Sequence, residues 1–334
     1  MDILTLLWLG KPVWMWAVFL TLVLVLLVLD LGVLHRTPKG AASKGHVISA
    51  RESLLTTGGY IALAMLFGAW VWYYLGHQRA IEFYTGYVVE LSLAMDNVFV
   101  IALILGYFKI PREYQHRVLF WGILGVLVLR GIMIGVGAAV VQNFHEILYL
   151  FSAFLIFTGF KMLLSKEESE ADLAQNPVII FFKKYGRVTN TLHGNRFFVK
   201  LKDANTGRMA TYMTPLMLAL ILVELADVVF AVDSVPAIFA ITTDPYIVFT
   251  SNIFAILGLR ALYFALSAMM DRFAYLKYAL ATLLIFIGGK MLVADMLGLA
   301  KIPPSVSLAV TLAILATGVA YSLHKTRKTQ KTKH

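Results

Sequence analysis

The chain has no cysteine. Disulfides and thiol relays therefore cannot carry its function, and a soft metal finds no thiolate ligand. Charge is also scarce. Asp, Glu, Lys and Arg make up 14% of the 334 residues, against about a quarter in a soluble domain. The eight histidines stand mostly near the ends of apolar runs. Neither a His–carboxylate metal motif nor a nucleophile elbow appears, so the chain does not read as an enzyme and no prosthetic group is expected.

What fills the chain is apolar. Hydrophobic residues reach 60% and the mean hydropathy is +0.78, which defines an integral membrane protein whose first partner is the lipid bilayer. The formal net charge of +10 raises the question of nucleic acid. However, the basic residues sit in short connections and in the tail after Leu323 (Lys325, Arg327, Lys328, Lys331, Lys333). The positive-inside rule expects them there, and anionic lipid attracts them. No nucleic-acid partner is expected. The first apolar run is too long for a signal peptide and is expected to be retained.

A membrane span needs about 20 mostly apolar residues. The sequence predicts nine of them: Val13–Leu34, Leu54–Leu75, Phe83–Phe108, Val118–Val141, Ile147–Leu164, Leu216–Ile241, Ile247–Met270, Tyr275–Leu297 and Val306–Leu323. The fold class is thus an all-α polytopic membrane protein. Trp70, Trp72, Tyr73 and Tyr74 close the second span as an aromatic belt. The loops at 35–53, 109–117, 165–210 and 271–277 are basic. With nine spans and the tail inside, all four fall on the cytoplasmic side and the N-terminus lies outside. Segment 165–210 opens acidic and turns basic. Within it, Val178–Phe182 suits the membrane interface, and Phe197–Leu201 with Met209–Tyr212 predict a small hairpin about a polar turn.

An internal repeat organises the rest. Leu155–Leu163 returns as Leu284–Leu292, with Gly159 and Lys161 matched by Gly288 and Lys290. Arg130 recurs as Arg260 at nearly the same spacing, and Asp96 recurs as Asp233 at a slightly wider one. Each copy reads as three spans carrying acids, then arginine, then lysine. Three is odd, so the second copy enters the membrane from the opposite face, as in the inverted repeats of many secondary transporters. The layout is two N-terminal spans (1–80), a first repeat (81–164), a cytoplasmic insert (165–212), a second repeat (213–298), and a last span with a basic tail (299–334). Lys161 and Lys290 are expected to snorkel toward opposite faces.

The acids carry the chemistry. An Asp at the centre of a span costs about 2.5–3.5 kcal/mol on the most lenient scale, yet Asp96-Asn97 and Asp233-Ser234 both stand in apolar runs. Glu90 precedes the first pair, and Glu224 and Asp227 precede the second. Carboxylate, amide and hydroxyl oxygens suit a hard divalent cation, and Pro236 frees the carbonyl of Val232 as a further ligand. That inventory favours Mn²⁺, Ca²⁺ or Mg²⁺ without choosing among them. One helix face cannot hold every acid. Either the helices break near Asp96 and Asp233, or the acids divide: Glu90, Glu224 and Asp227 pair with Arg130 and Arg260, leaving Asp96 and Asp233 to the cation. Arg130 and Arg260 act as counter-ions or gates in this reading, and Asp30 caps its span or pairs with a basic loop.

These residues carry a resemblance. Leu29-Asp30-Leu31, Glu90–Val100, Val223–Pro236, Thr250-Ser251-Asn252 through Leu259-Arg260, and the paired Gly-x-Lys-Met-Leu segments resemble the TerC family of bacterial integral membrane proteins, named for tellurium resistance, and within it the Alx-like branch. The resemblance implies a LysE-like architecture and a manganese(II) exporter of the inner membrane, with a periplasmic N-terminus and a cytoplasmic C-terminus. It also implies a metal path through Glu90, Asp96, Asn97, Glu224, Asp227, Asp233 and Ser234; in the transport reading of the paired acidic spans, protons are the counter-ion. The alternative is a membrane scaffold or modulator in a metal, alkaline or tellurite stress response, docking through the insert.

Overall fold

The structure, a computed structural model, describes residues 5–34, 50–144, 146–164, 177–202, 208–267, 275–296 and 303–331. It is built of helices: α1 (Val13–Leu34), α2 (Ala50–Leu75), α3 (His77–Tyr107), α4 (Arg112–Asn143), α5 (Ile147–Leu164), α6 (Pro177–Tyr185), α7 (Pro215–Phe239), α8 (Pro245–Leu257), α9 (Leu259–Ser267), α10 (Leu276–Met296) and α11 (Pro304–Lys331). Two small antiparallel hairpins complete it, β1 (Leu7–Trp8) with β2 (Lys11–Pro12), and β3 (Phe198–Lys202) with β4 (Met209–Met213).

Among the described residues, seven helical segments are long and apolar enough to cross a bilayer, where the sequence predicts nine spans. The other two predicted spans, α1 and α10, are helical as well. Large apolar side chains point outward, among them Leu24, Leu55, Leu66, Val128, Leu150 and Val229. Such a continuous apolar exterior is what lipid, and not water, stabilises. Trp72, Tyr73 and Tyr74 are exposed at the end of α2, as an interfacial belt requires.

One helix is central. Every residue of α8 except Phe249 is buried, the pattern of a helix enclosed by others on all sides. It starts at Pro245, whose missing N–H costs nothing at the first helical position. Asp244 caps it by accepting from the Tyr246 N–H at 3.1 Å. Around it, Trp16, Phe19, Phe67, Phe83, Tyr246 and Phe254 form an aromatic core joining α1, α2, α3 and α8. The predicted single span Ile247–Met270 is interrupted at Gly258, which separates α8 from α9.

Small residues permit the closest helix contacts. A Cβ on Gly159 of α5 would lie 2.8 Å from the Ala281 carbonyl oxygen and 2.6 Å from Ile285 of α10. A Cβ on Gly288 of α10 would lie 2.5 Å from the Ser152 carbonyl oxygen and 2.9 Å from Ile156 of α5. As one chain position falls the other rises, so the two helices run antiparallel. Only glycine fits at both positions. Between α2 and α3 the chain turns on Gly76 alone, at φ +88°, a conformation that favours glycine.

The insert is structured where it is described. The predicted hairpin is present, with Phe198 opposite Met213 and Lys202 opposite Met209; its polar turn at 203–207 lies outside the described residues. Ile179 of α6 is buried in a cluster with Ile110, Leu119 and Leu216. Arg117 at the start of α4 lies 5.1 Å from the Phe197 ring centroid. The insert thus rests on the end of the bundle where α3 ends and α4 and α7 begin.

Candidate functional site

The predicted breaks near Asp96 and Asp233 are not observed. Helix α3 runs unbroken through position 96, and α7 runs through 233 with Pro236 inside it. Of the pairing expected in the second arrangement, Glu90 and Asp227 meet Arg130; the side chains of Asp96, Asp233 and Arg260 lie outside the described residues.

Arg130 of α4 is the centre. Its side chain is 1% exposed, and it links three helices. Its Nε donates to Asp227 Oδ2 at 3.0 Å and its Nη2 to Asp227 Oδ1 at 2.9 Å. This is the bidentate fork that a guanidinium makes and an ammonium cannot. Its Nη1 donates to Ser234 Oγ at 3.0 Å and to Glu90 Oε1. Glu90 and Asp227 are separated in the chain by the same offset as Asp96 and Asp233. The two acids therefore stand at matching places in the two acidic stretches and share one arginine.

The charges do not balance. Two carboxylates face one guanidinium, and Glu90 Oε2 has no hydrogen-bond partner although it is buried. Ionised, the cluster carries one negative charge in excess, in surroundings where an uncompensated charge costs several kcal/mol. The excess is relieved when one of the carboxyls takes up a proton or when a further cation enters. Beside the cluster, Asn97, Ile101, Gly122, Val126, Asp227 and Phe230 line a cavity of about 20 Å³, enough for one water-sized occupant.

The remaining predicted residues fall as follows. Glu224 follows its i,i+3 relation to Asp227 and also faces α4. A Cβ on Gly125 would collide with its carboxylate, so glycine makes the room. Among the described residues Glu224 has no arginine partner: its Oε2 is buried unpaired, and α4 presents Gly125 at that level. Asn97 is buried beside the cavity. Asp96 lies on α3, Asp233 on α7, Arg260 on α9 and Asp30 on α1; the side chains of these four lie outside the described residues. Among the described residues no three His, Asp or Glu side chains gather as a metal cluster. Lys290 does not snorkel. Its Nζ donates to Ser307 Oγ of α11 at 2.9 Å.

A second polar cluster escaped the sequence reading. At the bundle end opposite the insert, Asp244 pairs with Lys11 at 2.9 Å and with Arg79 at 3.6 Å. Arg79 also pairs with Glu82 at 2.7 Å, and Thr242 donates to Glu82 at 2.7 Å. The first hairpin, the start of α3 and the α7–α8 turn are thereby tied together. Asp244-Pro245, a capping acid before a first-turn proline, was the available signal for part of this.

The fold and this buried site define a multi-pass integral membrane protein with an ionic cluster at its core. The chain belongs to the Integral membrane protein TerC family, whose model matches residues 75–330. It is 45% identical over 314 residues to the protein of Escherichia coli (strain K12) named "Putative membrane-bound redox modulator Alx", covering 92% of each chain. It is 44% identical over 318 residues to the "Uncharacterized membrane protein STKORF319" of Myxococcus xanthus, covering 95% of this chain and 94% of that one. An "Uncharacterized membrane protein" of Rickettsia bellii is 44% identical over 308 residues, covering 92% and 96%. No solved structure matches the chain at a significant level.

Proposed function

We propose that the protein is a divalent-cation transporter of the bacterial inner membrane that exports manganese(II). The carrying observation is the buried Glu90–Arg130–Asp227 cluster, two carboxyls on one guanidinium, next to a mostly apolar cavity that Asn97 and Asp227 also border. Transporters place their sites near the midplane, where the halves of an inverted repeat meet. The inverted repeat is supported by the α5–α10 contact. Gly159 meets Ala281 and Ile285, while Gly288 meets Ser152 and Ile156. In the repeat register Gly288 answers to Gly159, Ala281 to Ser152 and Ile285 to Ile156. A two-fold relation makes residue i touch j while j touches i.

In this mechanism Asp96, Asp233, Asn97 and Ser234 take the cation, with Glu90, Asp227 and Glu224 shaping the field around it. Arg130 holds the two acidic helices together when the cation is absent, and protons replace it on the return. The cavity stands on the insert side of Arg130, and the Lys11–Asp244–Arg79–Glu82 cluster ties the opposite end. That arrangement suits a carrier open to one face at a time, with the N-terminus periplasmic and the tail cytoplasmic. A thiol-based redox role is excluded by the lack of cysteine. The test is manganese accumulation in cells producing the Asp96→Ala, Asp233→Ala or Asp227→Asn protein. Each is expected to accumulate manganese as cells lacking the protein do; export equal to the parent's in all three would overturn the reading.

A scaffold role in a stress response is the second reading, favoured by the ordered hairpin and α6 of the insert. Deleting residues 186–213 separates the two readings, since a transporter keeps its export and a scaffold loses its function.

A further inference from the structure

Helix α8 carries three consecutive polar residues in the most enclosed part of the molecule, and they are not alike. Thr250 donates to the Tyr246 carbonyl at 2.7 Å and Ser251 to the Ile247 carbonyl at 2.8 Å, so both hydroxyls are satisfied within their own helix. Asn252 is fully buried, and neither its Oδ1 nor its Nδ2 has a partner. An unpaired buried amide is among the costlier features a membrane helix can hold. Such groups call for a functional account.

Its direction follows from its neighbours. Ser251 faces Gly86 of α3, and Phe249 faces Gly131 of α4. At about 100° per residue, position 252 falls between those two directions, toward the space between α3 and α4. Glu90 lies one turn beyond Gly86 on the same face of α3, and Arg130 adjoins Gly131. Position 252 therefore lies on the side of α8 that faces the helices bearing Glu90 and Arg130, and Glu90 Oε2 also lacks a partner.

We propose that Asn252 supplies a neutral amide-oxygen ligand to the transported divalent cation, adding α8 to a site built from α3 and α7. The inference deepens the transport reading and rests on it. An amide oxygen suits hard cations such as Mn²⁺, Mg²⁺ and Ca²⁺. It also adds a ligand without adding charge beside two carboxyls that share one guanidinium.

The test uses the purified full-length protein in detergent and in proteoliposomes, comparing the parent with Asn252→Leu and Asn252→Asp. Binding of Mn²⁺ is read by electron paramagnetic resonance, and transport by initial rates at varied Mn²⁺ and Mg²⁺. Asn252→Leu is expected to weaken Mn²⁺ binding at least tenfold and to raise KM correspondingly. Its melting temperature should stay equal or rise, since an apolar isostere removes the unpaired amide. Asn252→Asp is expected to bind Mn²⁺ and to change the Mn²⁺/Mg²⁺ preference. A Kd for Asn252→Leu within twofold of the parent's overturns the assignment, as does a fall in kcat alone with unchanged affinity and preference. A parent that binds Mn²⁺ without transporting it overturns the transport reading, while the Kd series still decides Asn252. A parent that binds no Mn²⁺ overturns both.

Discussion

Replacing Arg130 with methionine tests the core of the site, because the consequence follows from charge and geometry alone. The arginine makes two hydrogen bonds to Asp227, one to Ser234 and one to Glu90, and is 1% exposed. Methionine keeps much of the volume but leaves two buried carboxylates facing each other without a cation. Removing one partner of a buried ion pair costs about 3–5 kcal/mol. At roughly 2 °C per kcal/mol, that is a fall in melting temperature of about 6–10 °C. The assay is thermal unfolding of the detergent-purified protein, followed by tryptophan fluorescence. Arg130→Lys should fall nearly as far, since one ammonium cannot span Asp227, Ser234 and Glu90 together. The combination Glu90→Leu, Arg130→Met, Asp227→Leu should recover most of the stability, because apolar groups of similar volume replace buried ion pairs at little cost. It should not recover manganese export. A melting temperature for Arg130→Met within about 1 °C of the parent, against the fall expected for a broken buried pair, would refute the reasoning, for the carboxylates would then not be held against the guanidinium.

Further outcomes follow from other contacts. Gly159→Ala and Gly288→Ala should each destabilise by about 1–3 kcal/mol, and by similar amounts, because each Cβ would meet a backbone carbonyl oxygen at 2.8 or 2.5 Å; unequal effects, measured by thermal unfolding, would argue against a reciprocal contact. Gly125→Val should displace the Glu224 carboxylate and slow manganese export in a cell accumulation assay, even though valine is the better helix former. Asp244→Asn keeps the cap on α8, since asparagine caps as well as aspartate, but removes the pairs to Lys11 and Arg79. Proteoliposomes carrying it should leak manganese faster than the parent, and its stability in thermal unfolding should fall by less than the about 3–5 kcal/mol of a fully buried pair, because Lys11 and Arg79 keep contact with the surroundings. Because the chain lacks cysteine, single cysteines at Leu6 and Lys331 report the orientation: an impermeant maleimide added to whole cells should label the first and not the second.

The helices were legible in the sequence because the bilayer imposes one requirement on all of them, about 20 apolar residues with every backbone group paired internally. Their ends were less so. Helix α2 begins at Ala50 and α3 at His77, earlier than the apolar runs, because a helix can project polar turns beyond the hydrocarbon without cost. The split at Gly258 left no trace in hydropathy, since both sides of it are equally apolar. The insert hairpin was legible from alternation around a polar turn, a local signal.

The site was legible in a different way. Its residues stood out because ionisable groups in apolar runs are rare and costly, which marked Glu90, Arg130 and Asp227 without saying who meets whom. The partnership is a tertiary fact: Arg130 lies 97 residues from Asp227 and 40 from Glu90. The sequence matched Asp96 with Asp233 by their offset, and the same offset relates Glu90 to Asp227. Glu224 shows the limit of that argument. At the same offset the first acidic stretch has Tyr87, so the sequence gives it no matching acid, and it rests against Gly125 with an oxygen unpaired. Asn252 was hidden for the opposite reason. An amide carries no charge and raises no alarm in an apolar run, and only the satisfied hydroxyls of Thr250 and Ser251 beside it make its own unpaired atoms conspicuous.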